Sequence, residues 1–318
     1  MDISINGKKA DITLETEKTV GDVLAGLDNW LTGLHGKTDS WGNGNFRLSG
    51  LFIDGIAADT QSMEDSFSRD ITAVNTLDIV ISSLRELIFT ALQETQKAVE
   101  TWKNLDFSAR QSWTENWKSC PAAALISEQY PELFAIIVQI FSGDAGYLQG
   151  IQSGDGSGAH FLSAIIDERM RELENPASEL CGMEKIIDSI TGRLEELPLD
   201  IQTGKDRKAS ETIQIFTAIT EKIFRIFNIF KSEGFPVETV KITPPSFTNS
   251  SGENSGDERA EIPIKDFLDE FSGALKQMLA AYEQKDAVLV GDLAEYEMAP
   301  RLRGFYETLR LNSEKTVG

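Results

Sequence analysis

"TLDIVISSLRELIFTALQETQKAVETWKNL", residues 76–105, changes its hydrophobic period in the middle. Over 76–83, Leu77, Ile79 and Ile81 alternate with other residues and share one face, the two-residue repeat of a half-buried strand. From 84 onward Leu84, Leu87, Ile88, Ala91, Leu92, Ala98, Val99 and Trp102 recur at helical spacing and make one wide apolar face. A strand that runs straight into a long amphipathic helix separates a sheet-forming region from a helical one. The α+β class follows from that switch, and the rest of the chain is read outward from it.

Upstream, Ile3 and Ile5 alternate with polar residues, and Asn6-Gly7 supplies a hairpin turn. Ala10, Ile12 and Leu14 alternate again and predict a second strand. Thr19 precedes a period-3.6 run of Val20, Val23, Leu24, Leu27, Trp30, Leu31 and Leu34, with Asp22 placed to complete a capping box and Gly36 to end the helix. "FRLSGLFIDG" (46–55) predicts a strand with a bulge at Gly50. The order strand, strand, helix, strand, strand over residues 1–83 resembles the β-grasp, or ubiquitin-like, fold. That resemblance implies a module that binds other proteins. Some β-grasp domains carry sulfur or become conjugated through a terminal Gly-Gly. Here the last strand runs into "SSLRELIF", so the expectation is a binding module or a structural cap on the helical region.

Downstream, Ser108 is a candidate cap for "FSARQSWTENWKS", where Trp113 and Trp117 lie four apart. Pro121 breaks the pattern, and Pro131 fits the first turn of "PELFAIIVQIFSG". Trp102, Trp113 and Trp117 have few basic neighbours, which favours core packing over a base-stacking platform. The glycine-rich stretch 142–160 lacks the preceding strand and the Gly-Lys-Ser/Thr of a phosphate loop, and reads as a surface loop. Further helices come after it. "ASETIQIFTAITEKIFRIFNIFKSEG" is the most apolar, with Phe216, Ile219, Ile223, Phe227 and Phe230 in one stripe widened by Ile215, Ile226 and Ile229. It is expected at the centre of its domain.

"ITPPSFTNSSGENSGDERAEIP" (242–263) is rich in Pro, Ser, Gly and acids and predicts a flexible acidic linker. Beyond it Ile264, Phe271 and Met278 are seven apart, as are Leu268, Leu275 and Tyr282. Asp286 can cap the next helix, in which Pro300 predicts a kink. Four parts result: a β-grasp-like domain at 1–83, an α-helical bundle at 84–241, the linker at 242–263, and a C-terminal helical hairpin at 264–318. The hairpin's candidate partner-binding face comprises Leu289, Leu293, Tyr296, Leu302 and Phe305. Asp292, Glu295 and Glu297 are expected on a solvated side, followed by Arg301 and Arg303.

Lys and Arg number 30 against 51 Asp and Glu, a net charge of −21. Nucleic acid and anionic membrane surfaces would be repelled, so another protein, basic or helical, is the expected partner, and self-association is compatible with the sequence. "MDISINGKKADITLE" lacks a basic n-region followed by an apolar h-region, and Cys120 and Cys181 have no motif spacing, so the expected location is cytoplasmic. The two histidines, His35 and His160, have no Glu three residues before them, which opposes a di-iron bundle. No Gly-x-Ser-x-Gly elbow is present. The expectation is a non-catalytic interaction protein acting as adaptor, regulator or chaperone, with no cofactor and no metal. The alternative is a hydrolase or transferase with a site between the helical bundle and the glycine-rich loop, using His160.

Overall fold

The computed structural model describes residues 1–35, 46–58, 63–143, 157–242 and 261–316. The chain divides into two compact units, Met1–Leu173 and Glu174–Gly318.

The first unit begins with a small mixed sheet. Its elements are β1 (Asp2–Ile5), β2 (Lys8–Lys9), α1 (Val20–His35), β3 (Phe46–Ile53), β4 (Ile56–Ala57), α2 (Met63–Phe67), a 3-10 turn at Ile71–Ala73 and β5 (Thr76–Ser83). The strand order is β2-β1-β5-β3-β4. β1 and β5 run parallel and the other neighbours antiparallel. Ile3, Val20, Val23, Leu27, Leu51, Ile53, Leu77 and Ile79 form the buried core. Their period-2 and period-3.6 spacings aim one sheet face and one helix face at each other. Asn6 and Gly7 both have positive φ, 50° and 73°, the geometry of a type I′ hairpin turn. The Thr19 hydroxyl accepts from the Asp22 N–H at 3.2 Å while the Asp22 carboxylate accepts from the Thr19 N–H at 2.9 Å, so the capping box forms with Asp. At the expected bulge, pairing jumps from Leu48↔Ile81 to Gly50↔Val80. A Cβ on Gly50 would lie 3.3 Å from the Val80 Cβ.

Two strand expectations need correction. The second strand stops at Lys9 instead of reaching Leu14; Ala10 and Leu14 still pack against the core as irregular chain, while Ile12 is exposed. The 46–55 strand ends at Ile53, because Asp54 and Gly55 form a second positive-φ turn, φ 51° and 78°, leading into β4. Asp54 also accepts the Asn75 and Thr76 N–H groups at 2.8 and 3.0 Å, which fixes the turn to the start of β5.

The helices of this unit are α3 (Leu84–Lys103), α4 (Phe107–Lys118), α5 (Pro121–Gln129), α6 (Pro131–Phe141) and α7 (Ser157–Glu174). The strand-to-helix switch is a capping box: Ser83 accepts from the Glu86 N–H at 3.1 Å and Glu86 accepts from the Ser83 N–H at 2.8 Å. The N-cap of α4 is Asp106, one residue before its start and without a side-chain cap bond, and Ser108 lies inside the first turn. Pro121 and Pro131 both open helices, where the missing N–H leaves no bond unmade. Trp102 and Trp117 are buried, and the rings of Trp102, Trp113 and Trp117 surround Phe141 with centroids 5.1 to 5.4 Å away, a core arrangement as expected. Of the glycine-rich stretch 142–160, residues 144–156 lie outside the described residues, and 157–160 form the first turn of α7.

The second unit contains α8 (Pro176–Cys181), α9 (Glu184–Glu195), α10 (Leu197–Gln202), α11 (Asp206–Ser232), β6 (Lys241–Ile242), β7 (Ile262–Pro263), α12 (Ile264–Glu283), α13 (Ala287–Asp292), a π-helical segment at Leu293–Met298 and α14 (Ala299–Thr316). One core joins all of them: Leu180, Ile187 and Leu194, then Phe216, Ile223 and Phe227, then Phe267, Phe271, Leu302 and Phe305. α11 packs against α8, α9, α10 and α14, the central place its wide apolar surface requires. This changes the expected partition. The helices before 242 and after 263 are not a bundle and a separate hairpin. β6 pairs with β7 through Lys241↔Pro263 and Ile242↔Ile262, and the Ile264 N–H donates to the Val240 carbonyl at 3.0 Å. The two ends of 243–260 therefore meet on the same core. The linker expectation for 243–260 itself lies outside the described residues.

Candidate functional site

The five candidate partner-binding residues do not share one surface. Leu302 and Phe305 are fully buried, and the Phe305 ring lies 5.3 Å from Phe224 and 5.5 Å from Phe227. Leu293 is also buried, at 8% exposure, whereas Leu289 at 43% and Tyr296 at 51% face outward. Straight α-helical spacing placed Leu289, Leu293 and Tyr296 together. The π-helical segment breaks that register, because each of its turns takes in one more residue. Leu293 and Met298, five apart, are both buried, while Tyr296 between them turns out. Pro300 explains the location: it has no N–H for the Tyr296 carbonyl, and its ring needs room in the preceding turn. The Ala299 N–H instead reaches the Ala294 carbonyl, five residues back.

Leu289 and Tyr296 have exposed apolar company. Leu279 and Tyr282 at the end of α12 and Val288 in the first turn of α13 are all exposed. Sequence reasoning missed these three. Tyr282 completed a heptad series, but the helix ends there without a neighbour to cover the ring. Val288, Leu289 and Val290 gave a usable signal: three consecutive apolar residues on a helix cannot all face one side, and only Val290 is buried. Around them Glu283, Asp286 and Asp292 are exposed. Asp286 caps α13 by accepting the Leu289 N–H at 3.1 Å. The Glu295 carboxylate accepts the Tyr296 hydroxyl and, with its charge and that of Asp292, holds the phenol above its usual range.

Beneath this ridge the expected solvated side is corrected. Arg301 is buried and ion-paired with Glu297 one turn earlier, and Glu270 on α12 stands 3.6 Å from its guanidinium. Glu297 is mostly covered. Arg303 reaches α9, donating to the Thr191 hydroxyl at 2.7 Å. A groove of about 400 Å³ opens between α11 and α12, with Ile213, Thr217, Ala218 and Glu221 on one wall and Tyr282 on the other.

His160 lies exposed in the first turn of α7. The side chain of His35 lies outside the described residues. Among the described residues no cluster of three His, Cys, Asp or Glu could hold a metal ion, and no helix is long and apolar enough to cross a membrane.

Two family matches divide the chain along these lines. Residues 1–83, ending where β5 ends, match the TP0873 N-terminal domain. Residues 182–308 match a domain of unknown function, DUF8042. The second match lies inside the Glu174–Gly318 unit and runs through 243–260, in keeping with one core on both sides of that segment. No curated protein and no solved structure matches the chain.

Proposed function

We propose that this chain is a non-catalytic protein-binding protein, an adaptor, regulator or chaperone, whose second unit engages a partner through the ridge formed by the end of α12, α13 and the π-helical segment. The observation that carries this reading is the concentration of exposed large apolar side chains there: Leu279, Tyr282, Val288, Leu289 and Tyr296 within eighteen residues of sequence. Isolated exposed apolar residues are ordinary, but a grouped set rimmed by charge is a mark of an interface. The rim carries Glu283, Asp286 and Asp292, so the partner is basic, in line with the net charge of −21. The N-terminal sheet, with parallel β1–β5 and order β2-β1-β5-β3-β4, supports a β-grasp arrangement and a second protein-binding module.

The test compares Leu289→Asp with Leu293→Asp. At exposed Leu289 the change should leave the melting temperature in place yet abolish stoichiometric capture of a partner from source lysate. At buried Leu293 it should cost several kcal/mol, because it introduces an unpaired charge into an apolar contact. Unchanged capture by folded Leu289→Asp would reject the ridge. Turnover in a substrate screen, lost on His160→Ala, would favour a hydrolase or transferase instead.

A further inference from the structure

We infer that the groove between α11 and α12 seats one amphipathic helix of a partner protein, with lysine or arginine on that helix facing Glu221. This inference rests on the protein-binding reading and names the partner's chemistry and its seat. The α11 wall is one helical face. Ser210, Ile213, Thr217, Ala218 and Glu221 recur every three or four residues and run roughly 16 Å at the rise of an α-helix. Ser210, Thr217 and Ala218 are small, so a helix backbone can approach to the usual 8–10 Å interaxial distance. Tyr282 closes the other side, and Leu279, three residues before it, is exposed as well. Apolar residues of an incoming helix would thus meet Ile213, Leu279 and Tyr282.

A helix fits this groove better than an extended strand. Both walls are α-helices whose mid-helix backbone groups are already bonded internally, so they offer a strand no partners for its own N–H and carbonyl groups. Charge then narrows the class. Glu221 lies in the groove and Glu283 adjoins Tyr282, both exposed. Lys222 pairs with Glu179 at 2.8 Å, while Glu211 stands 3.8 Å from Arg193 at the groove's near end. Exposed Lys276 and Lys285 flank Leu279 and Tyr282 on that wall, each three residues away. An acidic helix, a nucleic acid or a second copy of this chain at −21 would meet repulsion.

Two fluorescent synthetic peptides of equal length, with the same leucine and alanine stripe, decide the matter. One carries lysine and arginine on its polar face and the other glutamate. Fluorescence anisotropy against the full chain should show the basic peptide binding about tenfold or more tightly than the acidic one, with affinity falling as salt is raised. Ala218→Trp, which fills the groove, and Glu221→Lys, which reverses its charge, should each weaken the basic peptide about tenfold. Circular dichroism shows that each variant is folded, and Glu221→Lys serves if Ala218→Trp is not. Equal affinity for both peptides, no binding of either, or indifference to both groove variants overturns the inference. Loss of binding only in Leu289→Asp or Tyr296→Asp would also overturn it, while leaving the ridge as the interface. Self-association that disappears in Ala218→Trp would assign the groove to a second copy and reject the basic partner.

Discussion

Arg301 shows how a charge expected on a solvated side can become part of the core. It lies just past the π-helical segment, its guanidinium pairs with Glu297 and faces Glu270, and its Nε has no hydrogen-bond partner among the described residues. Removing one member of such a pair leaves a covered charge behind. Glu297→Gln should therefore destabilise by about 1–2 kcal/mol, more than an exposed carboxylate would, and Arg301→Met combined with it should recover most of the loss. Urea unfolding of both variants measures this, and a Glu297→Gln protein as stable as wild type would show that the pair contributes nothing. Asp200 gives a pH-dependent counterpart. The ammonium groups of Lys208 and then Lys205, 2.8 and 3.1 Å away, hold its carboxyl below the usual range. A depressed folded-state pKa means that the pair stabilises above the unfolded carboxylate value of about 3.9, and that this support is lost as pH falls through the lower folded value. The melting temperatures of wild type and Asp200→Asn should therefore differ near neutrality and converge in acid. A constant gap across that range would reject the assignment.

At the scale of elements, glycines separate two kinds of helix position. Gly291 in α13 faces Pro198 of α10, and a Cβ there would come within 3.1 Å of the Pro198 Cα and Cβ. Gly273 in α12 has nothing within 4 Å of the same position. An added methyl at Gly273 should stabilise by up to about 1 kcal/mol through helix propensity. The same change at Gly291 should cost about 1 kcal/mol net, since overpacking against backbone outweighs that gain. Opposite signs in thermal unfolding are the expected outcome, and a stabilising Gly291→Ala would mean that α10 gives way easily. These elements differ in how much of them could be read beforehand. The switch at Ser83, the turn at Asn6-Gly7, the bulge at Gly50 and the buried stripe of α11 were legible because local spacing and turn chemistry decide them. The short β2 was not: the Ala10 N–H still donates to the Ile3 carbonyl at 2.9 Å, but the strand ends at Lys9 and Leu14 reaches the core as irregular chain. The π-helical segment was not either. Pro300 announced a break, but whether a helix answers with a bend or a wider turn depends on what packs against it, here Leu293, Ala294 and Met298 in the core. That choice split the candidate face, sending Leu293 inward and leaving Leu289 and Tyr296 outside.

For the whole molecule, the segment 243–260 decides what counts as a domain. Composition alone marked it as a divider between a bundle and a hairpin, and composition cannot show that its two ends return to one place. Ile242 and Ile262 pair across β6 and β7, and both flanks contribute to a single core, with Phe216, Phe227 and Phe230 before the segment and Phe267, Phe271 and Phe305 after it. Each such side chain, fully buried, is worth roughly 1.5–3 kcal/mol relative to exposure. The core on either side would be left open by losing the other. A chain carrying a protease site between Ser250 and Ser251 should therefore, once cut, stay together. The two pieces of the second unit should elute as one species in gel filtration and separate only in denaturant, with a melting transition lowered but still cooperative. A chain truncated after Lys241 should expose the apolar stripe of α11 and aggregate, while residues 174–318 alone should fold with high helix content. Independent elution of two folded pieces after cleavage would restore the bundle-and-hairpin division. It would also part the α11 face from Tyr282, and with it remove the groove proposed as the partner's seat.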